Sequence, residues 1–219
     1  MKLIDLNNLG EKLNEYDLFL VDFDGTIIDS MVMWRHICPS FLEYKNIETN
    51  DDVLALVKSL TNLEIAKMMR DRYFPNSSYE EVVSDFFEFI RKEYVKQNVK
   101  PKAYEFLTEI NKIGKVVLYT ATAMTLINDL LDILDLKKYY QGIYSGSDMK
   151  WAKRDGSGYL NLIDLLGYNG KKVLVVEDAP HAVIGANNVG LDVLVVKDYS
   201  NINMLDEING KYQYYIDLF

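Results

Sequence analysis

Several residue types are scarce in this chain of 219 residues, and each scarcity excludes a class of protein. A single cysteine, Cys38, excludes a disulfide framework and a cysteine-based zinc site, so a reducing, cytoplasmic setting is expected. The only histidines are His36 and His181, and no Gly-x-Ser-x-Gly sequence is present, which argues against a Ser-His catalytic triad. Because no apolar run reaches the length of a membrane span or a secretory signal, no membrane insertion or export is expected.

Positive charge is also in short supply. Lys and Arg together number 24 against 33 Asp and Glu, which gives a net charge of −9 and a pI of about 4.8. Nucleic acids and anionic membranes need a basic footprint on the proteins that bind them, so neither is an expected partner. An anionic small molecule would therefore need a site where the fold concentrates positive charge locally.

What the chain does contain is a regular alternation of short apolar runs and amphipathic segments, which is typical of α/β proteins. Five runs are nearly continuous in apolar residues, as expected of parallel strands covered on both faces. They are Leu18–Val21, Val116–Tyr119, Ile143–Tyr144, Val173–Val176 and Val193–Val196. Helices are predicted at Ala103–Ile113, Met124–Leu134, Tyr159–Leu166 and Ala182–Val189. The pattern predicts a Rossmann-like, mostly parallel sheet with helices on both faces.

One long stretch, residues 30–99, breaks the alternation because it contains helical patterns and no convincing strand. Thr61 with Glu64, and Ser78 with Glu81, have the spacing of capping boxes at helix starts. We therefore predict an inserted helical cap at 30–99 and a core domain formed by 1–29 and 100–219. Within the core, the Gly/Ser-rich residues 145–158 are predicted to form a loop.

The most informative motif is Asp22-Phe23-Asp24-Gly25-Thr26, directly after the first apolar run. In an extended chain residues i and i+2 point the same way, so Asp22 and Asp24 can share one small volume. Two carboxylates there repel unless a proton or a cation lies between them. All-oxygen ligands favour Mg²⁺ over zinc, and the arrangement indicates phosphoryl-transfer chemistry.

Polar residues follow the other predicted strands at corresponding places. Thr120 ends the second strand, Glu177-Asp178 follows the fourth, and Lys150 and Lys153 lie after the third. Ligands of open α/β sheets bind at these carboxyl ends, so we expect the side chains to converge. An aspartyl-phosphate mechanism needs this inventory: a carboxylate nucleophile, an acid/base, a metal-binding acidic pair, a hydroxyl donor and a cation.

On these motifs the chain resembles the haloacid dehalogenase superfamily, in the subgroup with a helical cap that includes phosphoglycolate phosphatase and β-phosphoglucomutase. The resemblance covers nearly the whole chain. The third motif departs from the family pattern, because Arg154 stands where proline usually follows the lysine. Lys153 holds the family's spacing to Tyr159 and Leu166-Gly167, and Lys150 remains an alternative.

The resemblance implies a mechanism. Asp22 attacks phosphorus and forms a phosphoaspartyl intermediate, while Asp24 protonates the leaving alcohol and later deprotonates water. Mg²⁺ would bind Asp22, Glu177, Asp178 and the main-chain carbonyl of Asp24. The remaining implied contacts to the phosphoryl group come from Thr120, Lys153, Gly25, Thr26 and Ala121.

The expected function is hydrolysis of a small phosphorylated metabolite by a monomer or weak homodimer. A sugar-phosphate mutase is the alternative, but mutases of this family carry a cap histidine where Trp34 stands here. A non-catalytic phospho-receiver is a further alternative, against which the late position of the acidic pair argues. Trp34, Arg35, Tyr44 and Lys58 are candidate contacts of the leaving group in the cap.

Overall fold

The computed structural model describes residues 2–49, 51–57, 60–199, 201–204 and 206–219. The backbone divides into two compact units. One contains the chain up to Met31 together with Gln97–Phe219, and the other is Val32–Lys96. Lys58, one of the predicted leaving-group contacts, lies outside the described residues.

The first unit is built on a seven-stranded sheet in which every neighbouring pair is parallel. Its strands are β1 (Lys2–Leu3), β2 (Leu18–Val21), β3 (Lys115–Thr120), β4 (Ile143–Ser145), β5 (Val173–Glu177), β6 (Asp192–Val196) and β7 (Tyr214–Ile216). The spatial order is β1-β7-β6-β5-β2-β3-β4, so β2 lies between β3 and β5. This architecture confirms the predicted α/β fold class.

In chain order the helices are α1 (Leu9–Leu13), α2 (Met31–Tyr44), α3 (Val53–Val57), α4 (Asn62–Tyr73), α5 (Tyr79–Tyr94), α6 (Ala103–Asn111), α7 (Met124–Ile133), α8 (Gly146–Met149), α9 (Ser157–Leu165) and α10 (Pro180–Asn188). The helices of the sheet unit bury one apolar face each, as α6 does with Phe106, Leu107 and Ile110. The strands between them are apolar along their length because both faces of the sheet are covered. Among the described residues, no helix is both long and apolar enough to cross a lipid bilayer.

The regular secondary structure in the described part of the second unit is helical, and both predicted capping boxes are confirmed there. At α4, the Glu64 amide donates to Thr61 Oγ1 at 3.3 Å, and the Thr61 amide donates to Glu64 Oε2 at 2.8 Å. Ser78 and Glu81 form the same pair at the start of α5. Each box supplies acceptors for amides that the first helical turn leaves without partners, which contributes about 1 kcal/mol.

Two sequence predictions about the sheet unit need correction. The sheet has two further strands, β1 and β7, which are too short to produce a recognisable alternation. The predicted loop 145–158 contains the single-turn helix α8, because Ser145 Oγ accepts a hydrogen bond from the Asp148 amide at 3.1 Å and caps it. This segment carries a lysine into the site described next.

Candidate active site

The carboxyl ends of β2, β3 and β5 meet at one edge of the sheet, and polar residues follow each of them. Val21 pairs with Leu118 on β3 and with Val176 on β5, so the residues just beyond are level with one another. Asp22 follows β2, Thr120 ends β3 and Glu177 ends β5. In the described chain, Asp22, Glu177 and Asp178 form one buried group whose carboxylate oxygens lie within 4.8 Å of one another.

Lys153 joins this acidic cluster. Its Nζ contacts Asp22 Oδ1 and donates to Glu177 Oε1 at 2.8 Å, and the ammonium lies 5.1 Å from the centre of the Tyr119 ring. Lys150 instead ends α8 as an exposed residue. The structure therefore brings Lys153, and not Lys150, into contact with the carboxylates.

The loop that carries Lys153 is positioned by close packing on α10. A Cβ on Gly185 would lie 2.0 Å from the Lys153 carbonyl oxygen and 2.8 Å from that of Arg154. Only glycine allows this approach of the two backbones. The packing places the lysine 7% exposed, with its ammonium directed at the strand ends.

The charges in the cluster do not balance. Burial and the neighbouring Glu177 and Asp178 raise the pKa of Asp22 well above its ordinary value, whereas Lys153 opposes them. Burial alone would lower the pKa of Lys153, but Asp22 and Glu177 outweigh it and raise that pKa above the ordinary value. When all three buried carboxylates are ionised, the single ammonium of Lys153 leaves surplus negative charge in the cluster. A divalent cation would neutralise that charge. The donors are all oxygen, which suits Mg²⁺.

Glu177 has its own set of partners. Lys153 donates to Oε1, and the Tyr159 hydroxyl approaches the same atom at 3.4 Å. The amides of Asp178 and Ala179 each donate to Oε2 at 2.9 Å. Both carboxylate oxygens of Glu177 therefore already have hydrogen-bond partners. This favours a role for Glu177 in positioning Lys153 and the backbone of Asp178 and Ala179, in place of the predicted role as a direct metal ligand.

Asp24 occupies a different environment from Asp22. It is half-buried, accepting from Ser30 Oγ on Oδ1 at 2.6 Å and from Thr122 Oγ1 on Oδ2 at 2.7 Å. Its carboxylate is not one of the donors of the acidic cluster found among the described residues, and the expectation that Asp22 and Asp24 share one volume stays a prediction. The i, i+2 argument applies within a strand, and β2 ends at Val21. The two carboxylates therefore have different hydrogen-bond partners.

Gly25, which follows Asp24, is required at its position for two reasons. Its φ of +77° lies in the region that glycine adopts without strain, and a Cβ there would lie 2.3 Å from Asp178 Oδ2. Its amide donates to the Ile28 carbonyl at 2.8 Å, and the predicted contact of Gly25 with a phosphoryl group stays a prediction. Thr26 Oγ1 donates to Asp178 Oδ1 at 3.2 Å. The loop therefore fixes Asp178 from two sides.

The remaining predicted residues have the following places. Thr120 is 1% exposed, and its Oγ1 accepts from the Thr122 amide at 3.0 Å. Ala121 is exposed and lines a cavity beside Lys153. Trp34 and Arg35 belong to the helical unit, where the Trp34 ring packs 5.6 Å from that of Tyr94. Their contact with a leaving group stays a prediction.

Sequence reasoning missed a buried network behind Asp178. Asn201 Nδ2 donates to the Asp178 carbonyl at 2.9 Å, and Asn201 Oδ1 accepts from the Asp198 amide at 3.2 Å. Asp198 forms an ion pair with Lys100 Nζ at 2.9 Å, and both side chains are fully buried. A lysine just before Pro101 carries no local signal of burial, because its partner comes from the far end of the chain. Ser30 and Thr122 could have been suspected from their closeness in sequence to Asp24 and Thr120.

The fold and site together define an α/β protein with buried polar residues at the carboxyl ends of its central strands, around an acidic cluster that could hold a metal ion. The chain belongs to the haloacid dehalogenase-like hydrolases, whose family model matches residues 19–196. This confirms the resemblance seen in the motifs.

Solved structures share the fold at low sequence identity. A candidate β-phosphoglucomutase from Thermotoga maritima has a TM-score of 0.77 and 20% identity, and the match covers 92% of this chain and 94% of that one. A predicted phosphoglycolate phosphatase from Haemophilus somnus has a TM-score of 0.73 and 14% identity, with 93% and 95% covered. A candidate hydrolase of the family from Bacillus subtilis, solved with magnesium bound, has a TM-score of 0.68 and 14% identity, with 92% and 94% covered.

Proposed function

We propose that this protein is a Mg²⁺-dependent phosphatase that hydrolyses a small phosphate monoester through a phosphoaspartyl intermediate on Asp22. The observation that carries the proposal is the contrast between two carboxylates two residues apart. Asp22 lies in a buried cluster against Lys153, whereas Asp24 lies outside it and accepts hydrogen bonds from two hydroxyls. Carboxylates held in different environments take different roles, one as nucleophile and the other as acid and base.

In the first step an Asp22 oxygen attacks phosphorus and the bond from phosphorus to the ester oxygen breaks. Asp24 transfers its proton to the leaving oxygen, so an alcohol departs. In the second step Asp24 takes a proton from water, which attacks the phosphoaspartate and releases inorganic phosphate. Thr120 and Lys153 hold the phosphoryl oxygens through both steps, and Lys153 offsets part of their charge.

Asp22 and Asp178 are suited to hold Mg²⁺, together with the main-chain carbonyl of Asp24, because the donor set is all oxygen and carries surplus negative charge. When bound, the ion would act as a Lewis acid that shields the attacking carboxylate from the anionic phosphate, a contribution of several kcal/mol. Thr26 and Asn201 keep Asp178 in place for this purpose. The magnesium bound to the Bacillus subtilis relative supports the choice of ion.

The proposal is tested by measuring phosphate release from a panel of phosphate monoesters, with MgCl₂ and with EDTA. Asp22→Asn removes the nucleophile at nearly constant shape and should reduce kcat by at least about 10³-fold. Asp129→Asn is the matched control, because Asp129 is an exposed residue of α7 remote from the strand ends. Full activity in Asp22→Asn, or equal activity in EDTA, would contradict the proposal.

Asp24→Asn separates a phosphatase from a phospho-receiver. A receiver keeps one phosphoryl group per chain and shows no repeated turnover, whereas the phosphatase releases many. The variant should take up a phosphoryl group from an activated donor such as p-nitrophenyl phosphate and release it slowly, because water is no longer deprotonated. Stoichiometric labelling of the unaltered protein without further release would favour the receiver.

A further inference from the structure

A cavity of about 350 Å³ opens on the sheet unit beside the acidic cluster. Its lining includes Ala121, Ser147, Lys150, Lys153, Arg154 and His181. Lys153 is shared, since it lines this cavity and also contacts the proposed nucleophile Asp22. A molecule whose phosphoryl group is held at Asp22 would therefore have this cavity on the other side of Lys153.

The cavity concentrates positive charge in a chain whose net charge is −9. Across the residues that the structure describes, neither Lys150 nor Arg154 forms an ion pair. The two acids of the same segment are engaged elsewhere. Asp148 Oδ2 accepts from the Met124 amide at 2.9 Å, and Asp155 Oδ1 accepts from the Ser157 amide at 3.0 Å. The cationic lining is thus left available to a ligand.

The backbone around these cations is fixed. Lys150 has a φ of +56°, a left-handed conformation that is uncommon for a residue with a side chain. The Trp151 amide holds the turn by donating to the Gly146 carbonyl at 2.8 Å. Arg154 follows Lys153 on the segment that packs against Gly185. A positive φ strains the backbone of a residue that has a side chain. Backbone strain persists where the surrounding structure holds the residue in place, and it is concentrated at functional sites.

Arg154 also departs from the family pattern described above. It replaces the proline that follows the lysine in the family that the chain resembles. A guanidinium presents a planar fork of donors that matches carboxylate and phosphate oxygens, whereas proline offers neither a charge nor a donor. The substitution therefore adds a group able to recognise an anion next to the phosphoryl site.

We propose that this cavity binds a second anionic group of the substrate, a carboxylate or phosphate, through Lys150 and Arg154. The inference rests on the proposed function and narrows it to phosphate monoesters whose alcohol portion is itself anionic. The charged tail and the transferred phosphoryl group would lie on either side of Lys153.

The test compares substrates that differ in the tail alone. 3-Phosphoglycerate and glycerol 3-phosphate have the same backbone, with a carboxylate in one and a hydroxymethyl group in the other. We expect kcat/KM to favour 3-phosphoglycerate by about tenfold or more, as a charged hydrogen bond allows. Arg154→Gln and Lys150→Met should each reduce that preference by raising KM for 3-phosphoglycerate. Lys171→Met is the control, since Lys171 is exposed and outside the cavity, and the preference should remain there.

A second readout does not depend on turnover. The chain has two tryptophans, Trp34 and Trp151, and Trp151 also lines the cavity. In Trp34→Phe, the emission of Trp151 should change saturably with 3-phosphoglycerate in EDTA, and the change should be lost when Arg154→Gln is added. Glycerol 3-phosphate should bind at least about tenfold more weakly.

The outcomes separate the two proposals. Arg154-dependent binding without hydrolysis of any monoester would support the anion site and overturn the phosphatase. Hydrolysis with no preference for the charged tail, and no effect of Arg154→Gln, would overturn the anion site and leave the phosphatase standing. If inorganic phosphate alone saturates the change in Trp151 emission at the same concentration as 3-phosphoglycerate, the cavity binds a free anion. That result would refute the proposal that it binds a second anionic group of the substrate.

Discussion

Gly25→Ala offers a sharp test of how the motif loop fixes the metal-binding carboxylate. The alanine would occupy a φ of +77°, which costs about 1–2 kcal/mol for a residue with a Cβ. Its Cβ would also lie 2.3 Å from Asp178 Oδ2, 2.6 Å from Asp178 Cγ and 2.8 Å from Met31 Cγ. Relieving this overlap requires Asp178 to move, at a further cost of about 1–3 kcal/mol.

Gly190→Ala is the matched control. Gly190 has a φ of +79°, and a Cβ built there would meet no atom within 4 Å. Both substitutions carry the same backbone strain, but only the first displaces a carboxylate. The difference between their free energies of unfolding therefore isolates the contacts with Asp178 and Met31.

The assay is urea unfolding followed by circular dichroism, with EDTA and with MgCl₂. An ion present at 100 times its Kd adds about 2.7 kcal/mol to the stability of the unaltered protein. Gly190→Ala should retain this increment, whereas Gly25→Ala should lose most of it because Asp178 no longer faces Asp22. Equal unfolding free energies in the two variants, with the same response to MgCl₂, would refute the reasoning.

Three further changes follow from the described contacts. Lys100→Met leaves Asp198 buried without its ion-pair partner and should reduce the free energy of unfolding in urea by about 3–5 kcal/mol, and a loss below about 1 kcal/mol would contradict this. Thr122→Val removes a hydrogen bond to Asp24, worth about 1.5–3 kcal/mol for a charged acceptor, and should reduce kcat about tenfold or more in a phosphate-release assay. Burial lowers the pKa of His181, with Arg154 and Lys153 adding to the shift and Glu177 opposing it, so the unfolded chain binds the proton more readily. Stability should therefore fall as pH drops through about 6.5 toward the folded pKa, and His181→Gln should weaken that dependence in urea unfolding at different pH values.

The fold was readable from the sequence because its strands are buried on both faces. Runs such as Val173–Val176 have no polar alternation and are bounded by turns, so they identify central parallel strands without an alignment. The strands β1 and β7, at one side of the sheet, have two and three residues, and segments of that length are too short to show a repeating pattern of apolar residues. Their pairing arises from tertiary contact with the rest of the sheet.

The candidate site was partly readable for a related reason. Parallel strands end at the same edge, so acids after β2 and β5 could be expected to meet even though about 150 residues separate them. The hydrogen-bond partners of Asp24 could not be predicted, because they are hydroxyls of Ser30 and Thr122, which the loops after β2 and β3 supply. Contacts made by loops after a strand ends do not follow the two-residue period of the strand.

The distribution of charge relates the site to the rest of the molecule. An overall charge of −9 repels large polyanions, whereas the cavity holding Lys150 and Arg154 presents a local positive field to a small anion. The acidic cluster beside it would weaken, without preventing, the binding of the same anion until a cation neutralised Asp22, Glu177 and Asp178. Binding of the metal and binding of the anion should therefore reinforce each other, since each removes a repulsion that the other experiences. Because the cavity is open to solvent, added salt should weaken the interaction of the anion with Lys150 and Arg154 more than the interactions of the buried cluster.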